Sequence, residues 1–185
     1  AKGTVDPHYM SRSADGSTLL VNLQASGDNA GTVLVDLQEL ADPVKDGATV
    51  RMVVAKPSDG YGSDWKGGAI SSDLRLALVG SAISSEMCAF ATEGETWLKG
   101  TSLKPLTNDK GYKMDGLAFG TGSAYLYSNV NLGDADSNRI ARWTYDAANN
   151  RLVWTGEIDT GLTRVRNISV YNVGGRELVY CGEGG

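Results

Sequence analysis

The sequence predicts an all-β chain built from four-stranded antiparallel units, and three observations carry that prediction. Short segments rich in aliphatic, aromatic and β-branched residues recur along the whole length, each bounded by clusters of Gly, Asn, Asp and Ser. Glycine makes up 24 of the 185 residues, well above the ~7% usual in globular chains, which fits many tight turns between short strands. In the best-patterned stretch, 114–158, every connection is too short for the crossover that parallel strands need.

Within that stretch the predicted strands are 117–119, 124–128, 139–145 and 151–157. The segment AYLYS has the mixed aromatic and aliphatic character of a half-buried strand, and RIARWTY alternates polar with apolar residues. Between the later strands lie NVNLGDADSN and DAANN, whose Asp and Asn side chains bond their own backbone and tolerate left-handed conformations. Upstream, 10–13 leads through Ala14-Asp15-Gly16 into 18–24, then 32–37 and 48–55. Leu34, Leu37 and Leu40 also fall at helical spacing, so a short helix ended by Pro43 is an alternative there. A Gly-rich linker precedes strands at 69–71, 74–79, 87–91 and 96–100, and beyond the 114–158 unit come 168–171 and 177–181.

At 41% apolar, a chain of this length can bury a core and form one domain. The formal charge of −5 comes from scattered acids, with no basic stripe, so a nucleic-acid partner has no electrostatic support. No apolar run approaches the roughly 18 residues of a membrane span. The chain opens AKGTVDP, without a Met or an apolar signal core, so its natural start is expected upstream. A composition rich in Gly, Ser and Asp with few Lys fits an exported, secreted or cell-surface bacterial protein. Cys88 and Cys181 each sit in an apolar strand context, which suits buried free thiols; a disulfide or a reactive thiol is the alternative.

The units repeat. Thr18, Arg75, Ala124 and Glu177 mark the second strand of each and follow one another at 57, 49 and 53 residues. That spacing and the four-strand count resemble β-propeller blades, with units at about 8–55, 67–100, 114–158 and an incomplete one at 165–185. The resemblance covers nearly the whole chain but carries neither the Gly-His to Trp-Asp pairing of WD40 repeats nor a kelch double glycine. A two-sheet β-sandwich of the same strands is the structural alternative. Because propellers close with about four to eight blades, three and a half units imply completion by a missing remainder of the same protein or by a homo-oligomer, the former favoured by the strand count.

The resemblance also implies where a ligand would sit. The connections entering each first strand and those joining second to third strands open on one face. That face would collect His8 and Tyr9; Asp59, Tyr61, Asp64 and Trp65; Asp109, Lys110, Tyr112 and Asp115; and Arg164, Arg166 and Asn167. Aromatic rings mixed with acids suit a glycan, whose faces stack on rings while its hydroxyls pair with carboxylates; a protein ligand is the alternative. Trp65, Tyr61, Asp64, Tyr112, Asp115 and Arg166 are the binding candidates. Trp97, Trp143 and Trp154 fall inside strands, and at least two of the three are expected to be buried.

Two further patterns are candidates for chemistry. Asp134, Asp136 and Asn138 stand at alternate positions, as oxygen ligands do in a calcium loop, although Arg139 takes the place of the turn glycine. Otherwise no cofactor is expected. Asp159-Thr160-Gly161 resembles the Asp-Thr-Gly signature of aspartic proteases, with Asp159 the residue that resemblance would make catalytic. The sequence thus supports a non-catalytic binding module or scaffold, with a secreted aspartic-type peptidase as the alternative from another class.

Overall fold

A computed structural model describes residues 6–24, 31–37, 52–55, 65–81, 84–93, 96–102, 106–130 and 138–183. Among them are fifteen strands and no helix. The first sheet runs β1 (Asp6–Arg12), β2 (Thr18–Gln24), β3 (Gly31–Asp36) and β4 (Met52–Ala55), each strand pairing antiparallel with the next. The second repeats this with β5 (Trp65–Ile70), β6 (Leu76–Ser81), β7 (Glu86–Glu93) and β8 (Thr96–Ser102), and β9 (Leu106–Thr107) extends the outer edge by pairing with β7. The third holds β10 (Leu117–Phe119), β11 (Leu126–Asn129), β12 (Arg139–Asp146) and β13 (Arg151–Asp159), and the fourth is the hairpin of β14 (Val165–Val173) and β15 (Arg176–Glu183).

The sheets stack face to face in chain order, so each inner sheet is buried on both sides. That is why β6 and β7 read as continuous apolar runs and do not alternate. In β7, Cys88 and Phe90 join Leu20 and Leu34 of the first sheet in one cluster, while Met87 and Ala89 join Leu117, Leu126, Trp143 and Leu152 of the third in another. A third cluster packs Ile140, Ala118 and Tyr127 against Val165, Ile168, Val170, Val179 and Cys181 of the fourth sheet. Trp143, fully buried, satisfies its indole N–H on Ser128 Oγ at 2.9 Å. The sandwich alternative therefore gives way to four stacked sheets; Leu34 lies in strand β3, while Leu40 and Pro43 of the helical alternative lie outside the described residues.

Glycine sets the distance between sheets. A Cβ on Gly80 would lie 2.5 Å from the Met114 carbonyl oxygen, and one on Gly68 would lie 2.5 Å from Leu20 Cδ2. One on Gly116 would collide with the Arg166 carbonyl oxygen of the fourth sheet. These three glycines allow close backbone approach, a reason for glycine in a strand region that is separate from turn formation.

The hairpin joining first to second strand is the same in three sheets. Ser13 N–H donates to Thr18 O at 2.9 Å, Ser71 N–H to Leu76 O at 2.8 Å, and Gly120 N–H to Tyr125 O at 2.8 Å. The residue three positions into each turn is left-handed: Gly16, Leu74 and Ser123, with φ of 77°, 58° and 59°. In the first two, an Asp holds the turn. Asp15 Oδ1 accepts from Ser13 Oγ (2.7 Å) and Ser17 N (3.0 Å), and Asp73 Oδ1 accepts from Ser71 Oγ (2.6 Å) and Arg75 N (3.1 Å). Leu74, predicted as the first residue of a strand, is therefore part of the turn, and β6 begins two residues later.

Candidate functional site

The first strands β1, β5, β10 and β14 lie side by side, and at their entering ends four side chains from three sheets meet. Asp115, in the segment leading into β10, is buried. Its Oδ1 accepts a hydrogen bond from Asn129 Nδ2 at the end of β11, and its Oδ2 lies 3.7 Å from Arg166 Nη1 on β14. Asn129 acts as the organiser. Its Oδ1 accepts from the backbone N–H groups of Asp115 (3.1 Å) and Gly116 (2.9 Å), and its Nδ2 also donates to Val165 O (3.1 Å). The side chain thus ties the entry into β10, the end of β11 and the start of β14 into one unit.

Tyr9 arrives from β1. Its hydroxyl donates to Leu117 O at 3.1 Å, past the second sheet, which shows the first strands converging on one side of the stack. Burial raises the Tyr9 pKa, the hydrogen bond to Leu117 opposes that rise, and the Asp115 charge adds to it. Tyr9 is therefore a neutral hydroxyl at physiological pH. The Asp115 side chain is 5% exposed and that of Arg166 34%, so the carboxylate is the fixed inner group and the guanidinium reaches solvent. A charge pair with one accessible, multi-donor member suits a ligand carrying hydroxyl or carboxylate oxygens.

Three of the residues predicted for the loop face, Tyr9, Asp115 and Arg166, are brought together. Tyr112 is not with them. It lies in the core edge-on to Trp143, ring centroids 5.9 Å apart, and its hydroxyl donates to Glu157 Oε2 at 2.8 Å. Trp65 opens β5 and so is a strand residue, not a linker one, and its side chain is outside the described residues, as are Asp59, Tyr61 and Asp64. Asp109 and Lys110 are exposed, with Lys110 Nζ 4.3 Å above the Trp154 ring. Of the three strand tryptophans, Trp143 is buried and Trp154 is 37% exposed because β13 is the outermost strand of its sheet; Trp97's side chain lies outside the described residues, so the expectation that at least two are buried turns on it.

Asp134 and Asp136 also lie outside the described residues. Asn138 is described, and its Nδ2 donates to Asp159 Oδ1 at 3.2 Å. Asp159 ends β13 exposed to solvent, and the same oxygen accepts from Gly161 N at 2.8 Å. Asp-Thr-Gly forms the turn between third and fourth sheets, with Thr160 bonding the Asn138 carbonyl through both its N–H (2.9 Å) and its hydroxyl (2.5 Å). Among the described residues no hydrogen bond or ion pair joins Asp159 to a second acid.

Asn129 was missed from the sequence. The signal was there: Asn is disfavoured in strands, yet Asn129 ends one apolar second strand and Asn22 lies within another, two residues from its end. Asn22 does for the first sheet what Asn129 does for the third, donating to Gly67 O of the next sheet at 2.8 Å.

Stacked antiparallel four-stranded sheets with converging first strands are the architecture of a β-propeller. Solved structures agree. The chain is similar to the periplasmic gluconolactonase of Pseudomonas aeruginosa (TM-score 0.56, 20% identity, 95% of this chain and 47% of that one). It is also similar to the WD40 repeats of RRP9 (0.56, 14%, 91% and 42%) and to the hydrazine synthase of Kuenenia stuttgartiensis (0.58, 17%, 88% and 38%). No family model and no curated protein sequence matches the chain. The chain spans less than half the length of these structures, and at such identities the likeness is one of fold.

Proposed function

We propose that the protein is the binding part of an exported bacterial β-propeller that takes a hydroxylated, carbohydrate-type ligand at the entering ends of its first strands. The observation that carries this reading is the Asp115 to Arg166 pair, held at 3.7 Å by Asn129 with the guanidinium accessible and Tyr9 beside it. Because Asp115 balances Arg166, the site favours a neutral or singly charged polyol over a polyanion. The test is calorimetric titration with neutral mono- and oligosaccharides and with gluconate, on wild type and on Arg166→Met, which keeps the apolar stem. At least one ligand of the panel is expected to bind, and the variant is expected to lose about tenfold or more in affinity, the scale of one charge-assisted hydrogen bond. No binding by wild type, or equal binding by the variant, would remove the reading.

A hydrolase is the second reading, favoured by the same pair of groups. Arg166 can polarise a lactone carbonyl and Asp115 can accept a proton from the attacking water and return it to the ring oxygen as the ring C–O bond breaks, giving a hydroxy acid. The likeness to a gluconolactonase supplies the substrate to try. Ring opening of a glucono-lactone above the uncatalysed rate, abolished in Asp115→Asn, would replace binding by catalysis.

A further inference from the structure

The hairpin turns of the second and third sheets carry different residues at their left-handed position, and the difference opens a cleft. In the second sheet that residue is Leu74, whose side chain packs into the cluster of Leu20, Leu34, Ile70 and Phe90 between the first and second sheets. In the third sheet it is Ser123, at nearly the same φ, 59° against 58°. Ser123 also faces the preceding sheet, where its Oγ accepts from Ser72 N at 2.6 Å and shares a hydrogen bond with Ser72 Oγ at 2.9 Å. A hydroxymethyl group thus stands where the neighbouring junction has an isobutyl group. What is left between the second and third sheets is a cleft of about 450 Å³, a size at which ligand sites are found.

The floor of this cleft is apolar and its mouth is charged. Leu76, Phe119 and Tyr145 line it, each partly buried against the core between these two sheets. Its walls are fixed: the Tyr145 hydroxyl donates to Asn150 Oδ1 at 2.8 Å, and the Ser72 to Ser123 contacts tie one hairpin turn to the other. At the mouth stand Asp73 and Arg75, both exposed. Asp73 is drawn into its own turn by Ser71 Oγ and the Arg75 N–H, whereas the Arg75 guanidinium makes no hydrogen bond or ion pair among the described residues. We propose that the cleft docks an acidic peptide segment, which inserts a leucine side chain where Leu74 sits one junction earlier and sets a carboxylate on Arg75. Two observations choose this occupant. The missing volume is one that the same fold fills with leucine at the neighbouring junction, where the gain comes from removing a branched aliphatic group from water. The cation at the mouth is open to a partner and complements an acid. The cleft opens at the hairpin ends of the strands, away from Asp115 and Arg166, so it stands apart from the ligand reading of that site.

Amide NMR titration of the whole chain with the capped peptide Gly-Glu-Leu-Glu-Gly tests this. Saturable shifts are expected at 71–76, 119–124 and 144–147. Replacing the peptide's leucine by alanine is expected to weaken binding about tenfold or more, the scale of one buried leucine. Ser123→Leu fills the cleft as Leu74 fills its own and is expected to abolish binding. Ser123→Ala loses the same hydrogen bonds but leaves the cleft open, and it is expected to bind as wild type does. With lysine in place of both glutamates the peptide is expected to bind wild type more weakly, and Arg75→Glu to reverse that order. Absence of saturable shifts at these residues would overturn the proposal. So would binding that survives Ser123→Leu or is lost equally in Ser123→Ala, an alanine peptide that binds as well as the leucine one, or a charge preference that Arg75→Glu leaves unchanged.

Discussion

The Tyr127 hydroxyl donates to Glu177 Oε1 at 2.6 Å, and the other carboxylate oxygen of Glu177 accepts from Thr121 N (2.7 Å) and Thr121 Oγ1 (3.0 Å). One acid at the start of β15 thus binds both the second strand and the hairpin turn of the preceding sheet. Burial first, then the hydrogen bond and charge of Glu177, push the Tyr127 pKa up to about 12.

That shift makes stability fall in alkali. A raised pKa means the folded state holds the proton more tightly, so the contribution is complete below the ordinary tyrosine pKa of about 10 and is lost as pH rises toward 12. Burial raises Tyr9, Tyr112 and Tyr145 in the same direction. Thermal unfolding followed between pH 7 and 12 is expected to show a midpoint that drops above about pH 10. In Tyr127→Phe that drop is shallower, while at neutral pH the variant costs about 1 kcal/mol, since Glu177 keeps Thr121.

Replacing Asn129 is expected to cost more. Asn129→Ala leaves the N–H groups of Asp115 and Gly116 and one Asp115 oxygen without their partner in a buried setting, for a loss of about 2–3 kcal/mol in urea unfolding. Asn129→Asp sets a second carboxylate against Asp115 and turns a donor into an acceptor. Its deficit is expected to exceed that of the alanine variant at pH 7 and to shrink as the solution is acidified and the pair takes up a proton.

The glycine at 116 has a steric role that a control can isolate. A methyl group there meets the backbone of Arg166, which cannot move aside as a flexible side-chain end would. Gly116→Ala is expected to cost about 1–3 kcal/mol by overpacking. Gly182→Ala, which meets nothing within 4 Å, is expected to leave the unfolding midpoint near that of wild type.

The two cysteines are predicted to differ. Cys88 is fully buried between first and second sheets, where loss of hydration pushes its thiol up to about 12, while Cys181, in β15 of the fourth sheet, is partly buried against the third. Both are free, and they lie in different clusters. A disulfide reagent at neutral pH is expected to titrate one thiol in the native chain and two in denaturant. Two equally fast native thiols would contradict the burial of Cys88.

Strand positions were legible because they depend on local chemistry. Runs such as TLLVNLQ, MCAFA and RIARWTY are short, β-prone and bounded by turn residues, and each is a strand in the structure. β9 was not legible: it is two residues long and exists because Leu106 pairs with Met87, a contact invisible within SLKPLTNDKGYK. The strand start at Leu74 was misread because the Asp73 carboxylate captures Arg75 N and holds Leu74 left-handed, so side-chain chemistry outcompeted an apolar run. Of the residues expected on the loop face, Asp115, Arg166 and Tyr9 meet, and Tyr112 turns inward because its ring fills space beside Trp143.

What the sequence by itself determined was the all-β class and the four-strand repeat, since alternation, turn chemistry and spacing act over a few residues at a time. What only the tertiary structure decided was the order of stacking and everything that crosses from sheet to sheet. The glycines at 68, 80 and 116, the bridging amides of Asn22 and Asn129 and the meeting of Asp115 with Arg166 all join residues far apart in the chain. Their partners are set by how closely two buried sheet faces approach, and that distance is a property of packed volume, which no local stretch of sequence records.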